Sequence, residues 1–193
     1  MTRILFVCTA NICRSPYAAA ALRQTLGADA RFDIVSAGVR ADWLEVAGEA
    51  ACDEMPYGVV RPSGLVVTHD APHESSQLTV DMVREADLIV TFEQSHRAAV
   101  LDLLPRAQTK VYTARQILRL ATAVSAPIWP PAAPERTGEP LRDLNAARSW
   151  APYEDDSDVA DPHGNGIQAH HACADEVDSV VSAMVSVLLP TSV

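Results

Sequence analysis

Four short apolar runs stand out from the polar and alanine-rich segments around them: Ile4-Leu5-Phe6-Val7, Phe32 to Ser36, Asp87-Leu88-Ile89-Val90-Thr91-Phe92, and a weaker one at Lys110 to Thr113. Each is too short for a helix and reads as a buried strand. Between them lie helical patterns. Pro16 suits the first turn of a helix, residues 17–26 are rich in alanine and leucine, and Gly27 can end the element. Residues 44–55 read as helix, broken by Pro56 and Gly58, and residues 57–77 read as mostly irregular. Further helices are expected over Thr79 to Ala86, from an N-cap at Ser95 to Leu104, over residues 114–124, and from about Ile167 to Leu189. In the last of these Val177, Val180, Val181, Met184, Val185 and Leu188 share one face.

Strands alternating with helices imply right-handed crossovers and a parallel sheet covered on both faces. The expected fold class is α/β, a three-layer αβα sandwich with a four-stranded parallel sheet. Such sheets bind ligands beyond the carboxyl ends of their strands, where the loop at residues 8–15 lies. Composition changes near residue 125: six of the thirteen prolines and two of the three tryptophans, Trp129 and Trp150, fall between Pro127 and Pro152. The organisation expected is a single domain over 1–193 with a proline-rich, loop-like insertion at about 125–156. Because the insertion precedes the last helix, it is expected to hang near the loop and shape access, with Trp129 or Trp150 as contacts, unless it is simply an unstructured loop.

Net charge is −10, which argues against a general nucleic-acid binder and against a polybasic membrane anchor. Residues 1–40 carry five arginines against two aspartates, a net of +3, whereas residues 149–193 carry eight acids and no Lys or Arg. A basic start in an acidic chain suggests a local anionic ligand. No run approaches the roughly 18 apolar residues of a membrane span, and the first apolar run is too short for a signal peptide. A cytoplasmic location is therefore expected. Four cysteines, Cys8, Cys13, Cys52 and Cys173, then read as buried, catalytic or redox residues and not as a disulfide framework.

The chemistry concentrates in Cys8-Thr9-Ala10-Asn11-Ile12-Cys13-Arg14-Ser15-Pro16. Backbone N–H groups of a tight loop converge on an anion, and the helix that follows adds the positive end of its dipole. Arg14 can grip two phosphate oxygens in fork geometry. That field favours a thiolate at Cys8, poised to attack phosphorus while the amides and Arg14 hold the equatorial oxygens.

These residues resemble the N-terminal signature of the low-molecular-weight protein tyrosine phosphatase family. The resemblance extends to Ser36-Ala37-Gly38, Gln77-Leu78-Thr79, Ala86 to Thr91 and Ser95-His96-Arg97, and covers roughly 1–122 and 156–190. It implies a phosphotyrosine protein phosphatase I-like fold and a phosphocysteine intermediate on Cys8. Arg14 would bind phosphate, Asn11 would hold the strained loop, and Ser15 would hydrogen-bond the Cys8 thiolate. Thr9, Ala10, Asn11, Ile12, Cys13, Arg14 and Ser15 would together bind phosphate. The family's general acid is an Asp in an Asp-Pro pair, and Asp161-Pro162 is the only such pair here. Asp155, Asp156 and Asp158 are rivals. The acid comes after the nucleophile in the chain, as in this family. Two departures are plain: Ala10 stands where the family usually has Gly, which permits φ > 0, and His163 stands where an aromatic often follows Asp-Pro.

Trp43 and His163 are placed at the pocket wall by the same resemblance, Trp43 being equally readable as a core residue. The resemblance also implies that Cys13, beside the nucleophile, pairs reversibly with Cys8, the alternative being that it is simply buried; Cys52 reads as core within the 44–55 helix. His170-His171-Cys173 are neighbours on a helix and point in different directions, so no metal is expected there, nor at His69 and His73. No cofactor is expected. The reaction implied is hydrolysis of phosphotyrosine or aryl phosphate monoesters on a protein substrate. Two alternatives stand beside it: an arsenate reductase of the same fold using a small-thiol cofactor, and a phosphate-binding regulatory module without turnover.

Overall fold

The computed structural model describes residues 1–44, 48–68, 72–126, 133–151 and 158–189. Strands β1 (Thr2–Cys8), β2 (Phe32–Gly38), β3 (Leu88–Thr91) and β4 (Val111–Thr113) form one parallel sheet in the order β2-β1-β3-β4. Helices α1 (Arg14–Leu26), α2 (Val80–Glu85), α3 (Gln94–Leu103), α4 (Ala114–Ser125), α5 (Pro140–Ala147) and α6 (Gly166–Leu188) cover it, with a 3-10 turn at Pro105–Thr109. This is the expected αβα arrangement.

Side-chain alternation along the strands separates two cores. Ile4, Phe6, Leu88, Val90 and Tyr112 face α1, α4, α5 and α6. Leu5, Val7, Ile89 and Val111 face the smaller layer built from α2, α3 and the 3-10 turn. Central β1 is apolar on both faces, and Ile4 to Val7 have no exposed surface. Hence the continuous apolar run in the sequence, where a half-exposed strand would alternate.

Capping accounts for several helix limits. Gly27 ends α1 at φ +64, a conformation glycine adopts without strain. Thr113 and Gln116 close a reciprocal capping box at the start of α4, and Thr79 accepts from the Met82 N–H at the start of α2.

Three expectations need correction. The described part of the proposed 44–55 helix, Leu44 and residues 48–55, is turn and irregular chain. Its polar backbone is claimed by tertiary partners: the Cys52 N–H donates to Ile12 O at 2.9 Å, and Glu49 O accepts from the Ser75 N–H at 2.8 Å. Cys52 is buried as expected, but in a loop. Helix α3 begins two residues earlier than an N-cap at Ser95 allows; Glu93 is its N-cap, and the Gln94 N–H donates to Asp158 Oδ1 at 2.7 Å. Finally, the proline-rich insertion contains α5, whose Leu144 and Ala147 are buried against α4 and α6. Asp143 organises its start by accepting from the Thr137 N–H and hydroxyl, each at 2.8 Å. Just after α5, Arg148 donates to Val111 O at 2.6 Å and lies over the Tyr112 ring at 3.7 Å. That anchors this part of the insertion at the amino end of β4, the opposite end of the sheet from the loop after β1. Trp150 packs against the core, while Trp129 lies outside the described residues.

Candidate active site

The loop between β1 and α1 is built around Asn11. Among the described residues it is the only non-glycine at positive φ, +58°, a conformation Asn tolerates better than most side chains. Its buried amide holds the turn in three directions: Nδ2 donates to Ser15 Oγ and Ser36 Oγ, each at 2.9 Å, and Oδ1 accepts from the Ser76 N–H at 3.0 Å. Its carbonyl meets His73 Nε2 at 2.7 Å, and the neighbouring Ala10 carbonyl accepts from Ser75 Oγ at 2.6 Å. Gly38, at the end of β2, lies directly beneath. A Cβ there would come within 2.8 Å of Thr9 O and Ala10 C. Ala10 itself is outside the positive-φ set, so the methyl group that replaces the family's usual glycine imposes no left-handed strain.

Cys8 sits at the base of this loop, 3% exposed. The Asn11 N–H donates to its sulfur at 3.2 Å, and Ser15 Oγ is 3.0 Å away. Cys13 is the N-cap of α1 and its side chain accepts from none of the helix N–H groups, so the first-turn N–H groups remain available to an anion.

Arg14, 1% exposed, is held from several sides. Its guanidinium donates to Glu93 Oε1 at 2.7 Å, Val159 O at 3.0 Å and Thr9 Oγ1 at 3.3 Å, and pairs with Asp161 Oδ2 at 2.8 Å. Burial opposes its charge, but Cys8, Asp161 and Glu93 more than compensate and raise its pKa above the ordinary value. Glu93 also loses by burial, yet its hydrogen bond from Arg14 keeps it below the usual carboxylate range. His96 lies behind them. Its Nε2 is 2.9 Å from Thr9 Oγ1, and burial pushes it down to about 4, so it is neutral near pH 7.

The segment carrying Asp161 is tied to the sheet by the Val159 N–H donating to Phe92 O at 2.8 Å. The rival acids separate by position. Asp158 is engaged at the start of α3, while Asp155 and Asp156 lie outside the described residues. Asp161 is the one that reaches Arg14. Its other oxygen accepts from the His163 N–H at 3.2 Å, which orients the carboxylate. The structure thus brings Cys8, Arg14 and Asp161 around one buried, amide-lined loop, an arrangement able to bind a phosphoryl group and attack it from sulfur.

The family model for low molecular weight phosphotyrosine protein phosphatase matches residues 3–128. The chain belongs to this family. The match ends where the proline-rich insertion begins. A protein-arginine-phosphatase of Geobacillus stearothermophilus is 28% identical over 185 residues, covering 94% of this chain and 93% of that protein. A probable low molecular weight protein-tyrosine-phosphatase of Erwinia amylovora is 36% identical over 107 residues, 55% of this chain and 67% of that protein. Among solved structures, an arginine phosphatase from Geobacillus stearothermophilus superposes with a TM-score of 0.66 at 26% identity, covering 97% of this chain and 93% of that one.

As a low molecular weight phosphatase, the protein has its cleft at the carboxyl ends of β1 and β3. Trp43 is 72% exposed, with the Arg40 guanidinium 5.0 Å from its ring centre, and the Arg40 N–H donates to Thr9 O at 2.9 Å. The core alternative for Trp43 is therefore excluded; it stands beside the loop, in solvent. His163 is exposed as well. A cleft of about 230 Å³ beside Thr9 is lined in part by Arg40, Glu93 and His96.

Sequence reasoning missed Glu93, His73 and Ser75, whose only signal was polarity next to strand ends and in an irregular stretch. It also missed a second sulfur cluster: Cys13, Cys52 and His170 offer ligand atoms all within 4.8 Å of one another. Cys173, by contrast, is buried in the core and pushed up to about 12 by that burial. His69 lies outside the described residues.

Proposed function

We propose that this phosphatase hydrolyses phosphotyrosine on proteins through a phosphocysteine intermediate. The observation that carries the reading is the Cys8–Arg14–Asp161 cluster at an amide-lined helix start. In the first step Cys8 Sγ bonds to phosphorus, the P–O bond to the tyrosine breaks, and Asp161 gives its proton to the departing phenolate. Arg14 and the amides of residues 9–15 hold the equatorial oxygens. In the second step Asp161, now a carboxylate, takes a proton from water. The resulting oxygen bonds to phosphorus, the S–P bond breaks, and inorganic phosphate leaves. The Arg14–Asp161 pair is compatible with this cycle. A phosphate dianion competes for Arg14, and Asp161 is then free to exchange a proton with the leaving oxygen. Exposed Trp43 and partly buried Ile12 give an aryl group apolar surface to rest on.

Phosphoarginine is the second reading. It is favoured by the protein-arginine-phosphatase that aligns over 94% of this chain. The deciding experiment compares kcat/KM on matched phosphotyrosine and phosphoarginine peptides. A preference for phosphotyrosine is expected, and a preference for phosphoarginine replaces the first reading by the second. Cys8→Ser should abolish both activities. Asp161→Asn should slow aryl phosphates with poor leaving groups most, and a uniform loss across leaving groups would assign the acid elsewhere.

A further inference from the structure

Cys13, Cys52 and His170 come from three separate parts of the chain: the start of α1, the irregular segment after β2, and the second turn of α6. All are buried, at 6%, 8% and 1% exposure. The His170 ring is oriented by a 2.8 Å hydrogen bond between Nδ1 and Gly166 O. With Nδ1 as the donor, Nε2 carries a lone pair and no proton, the tautomer a metal ligand needs. That Nε2 is fully buried and has no hydrogen-bond partner, which is costly for a polar atom unless something else fills the position. It points into the group formed with the two sulfurs. Glu54 stands at the edge of the group: its Oε2 accepts from Cys52 Sγ at 2.9 Å and lies 3.8 Å from His170 Nε2.

We propose that Cys13, Cys52 and His170 bind a zinc ion, with Glu54 closing the fourth position. Two thiolates and an imidazole select a borderline-soft ion such as zinc over magnesium or calcium, which prefer all-oxygen sites. Tetrahedral zinc, with bonds of about 2.3 Å to sulfur and 2.0–2.1 Å to nitrogen, places ligand atoms roughly 3.5–3.8 Å apart. The three atoms here already lie within 4.8 Å of one another, so a contraction of about an ångström completes the site. On binding, two S–Zn bonds and one N–Zn bond form, and the Cys13 and Cys52 thiol protons pass to solvent. The ion would tie the phosphate loop to residues 50–55 and to α6, reinforcing the Cys52 N–H to Ile12 O bond. It would also occupy the Cys13 sulfur, leaving it unable to pair with Cys8.

The test is metal titration of the full chain, purified with a reductant and stripped of metal. Wild type should take up one equivalent of zinc. Cobalt in its place should give the visible bands of a tetrahedral ion and a near-ultraviolet thiolate-to-cobalt band. Cys8→Ser should bind as wild type does, separating this site from the nucleophile. Cys52→Ser and His170→Gln should lose more than about 100-fold in affinity, beyond what losing an outer hydrogen-bond partner costs. Circular dichroism of the metal-free variants checks that they are folded, and the wild-type cobalt spectrum decides the matter even if they are not. The proposal is overturned if wild type takes up no zinc, if cobalt shows no thiolate band, or if Cys8→Ser loses the ion. A Cys13–Cys52 disulfide in the reduced preparation overturns it too.

Discussion

Asn11 is the residue on which the loop geometry depends most. Ala at the same positive φ costs about 1–2 kcal/mol, and three hydrogen bonds, one buried and two part-buried, disappear with the amide. Asn11→Ala should therefore destabilise the fold by roughly 2–4 kcal/mol and lower kcat/KM more than tenfold. Urea unfolding and aryl-phosphate kinetics measure both, and unchanged stability would remove Asn11 from this role. His96 makes a pH prediction. Its folded value of about 4 lies below the ordinary 6.5, mainly through burial and against the pull of Glu93, Asp161 and Asp158; Arg14 adds to the lowering. The unfolded chain then binds a proton that the folded chain refuses. Stability is present above about pH 6.5 and falls as the pH drops toward 4, by up to about 3 kcal/mol. His96→Gln should flatten that part of the stability–pH curve; an unchanged slope would assign the acid sensitivity to other groups. Much of the site was legible at this scale. Cys8, Arg14, Ser15 and the Asp161-Pro162 pair stand in short, recognisable strings. Glu93 does not, because a carboxylate after a strand gains meaning only when a buried arginine arrives from far along the chain.

At the scale of elements, β1 and β2 end side by side, and Gly38 lets the loop after β1 fold back across the end of β2. Gly38→Ala should push the loop by a few tenths of an ångström or more, since its new methyl meets backbone atoms that cannot rotate away. Displacements of about 1 Å at a reacting centre can cost about 100-fold in rate. We expect a 10- to 100-fold loss in kcat/KM with little change in the far-ultraviolet spectrum; wild-type kinetics would show that the loop has room. The strands were readable because burial on both faces leaves an unbroken apolar run. The 44–55 stretch misled for a related reason. Alanine-rich composition favours helix weakly, but its backbone donors and acceptors are taken by Ile12 and Ser75 instead.

The whole molecule joins a site at one end of the sheet to an insertion anchored at the other. Leu144 on α5 is 3% exposed and packs against α4 and α6, so Leu144→Ala should cost about 2–5 kcal/mol of stability. The same variant should leave kcat/KM on small aryl phosphates within about twofold, because α5 packs against α4 and α6. A large kinetic effect would connect the insertion to the cleft after all. The strands, the long final helix, and the Cys8–Pro16 and Asp161-Pro162 strings were legible along the chain, because these depend on local periodicity and short strings. It took the folded chain to place Asp158 on the Gln94 N–H at the start of α3 and Asp161 on Arg14. The fold also decided that Trp43 stands in solvent, and that Cys13, Cys52 and His170 converge. Those outcomes depend on which distant backbone groups and charges are brought within a few ångströms, and no local pattern encodes that distance.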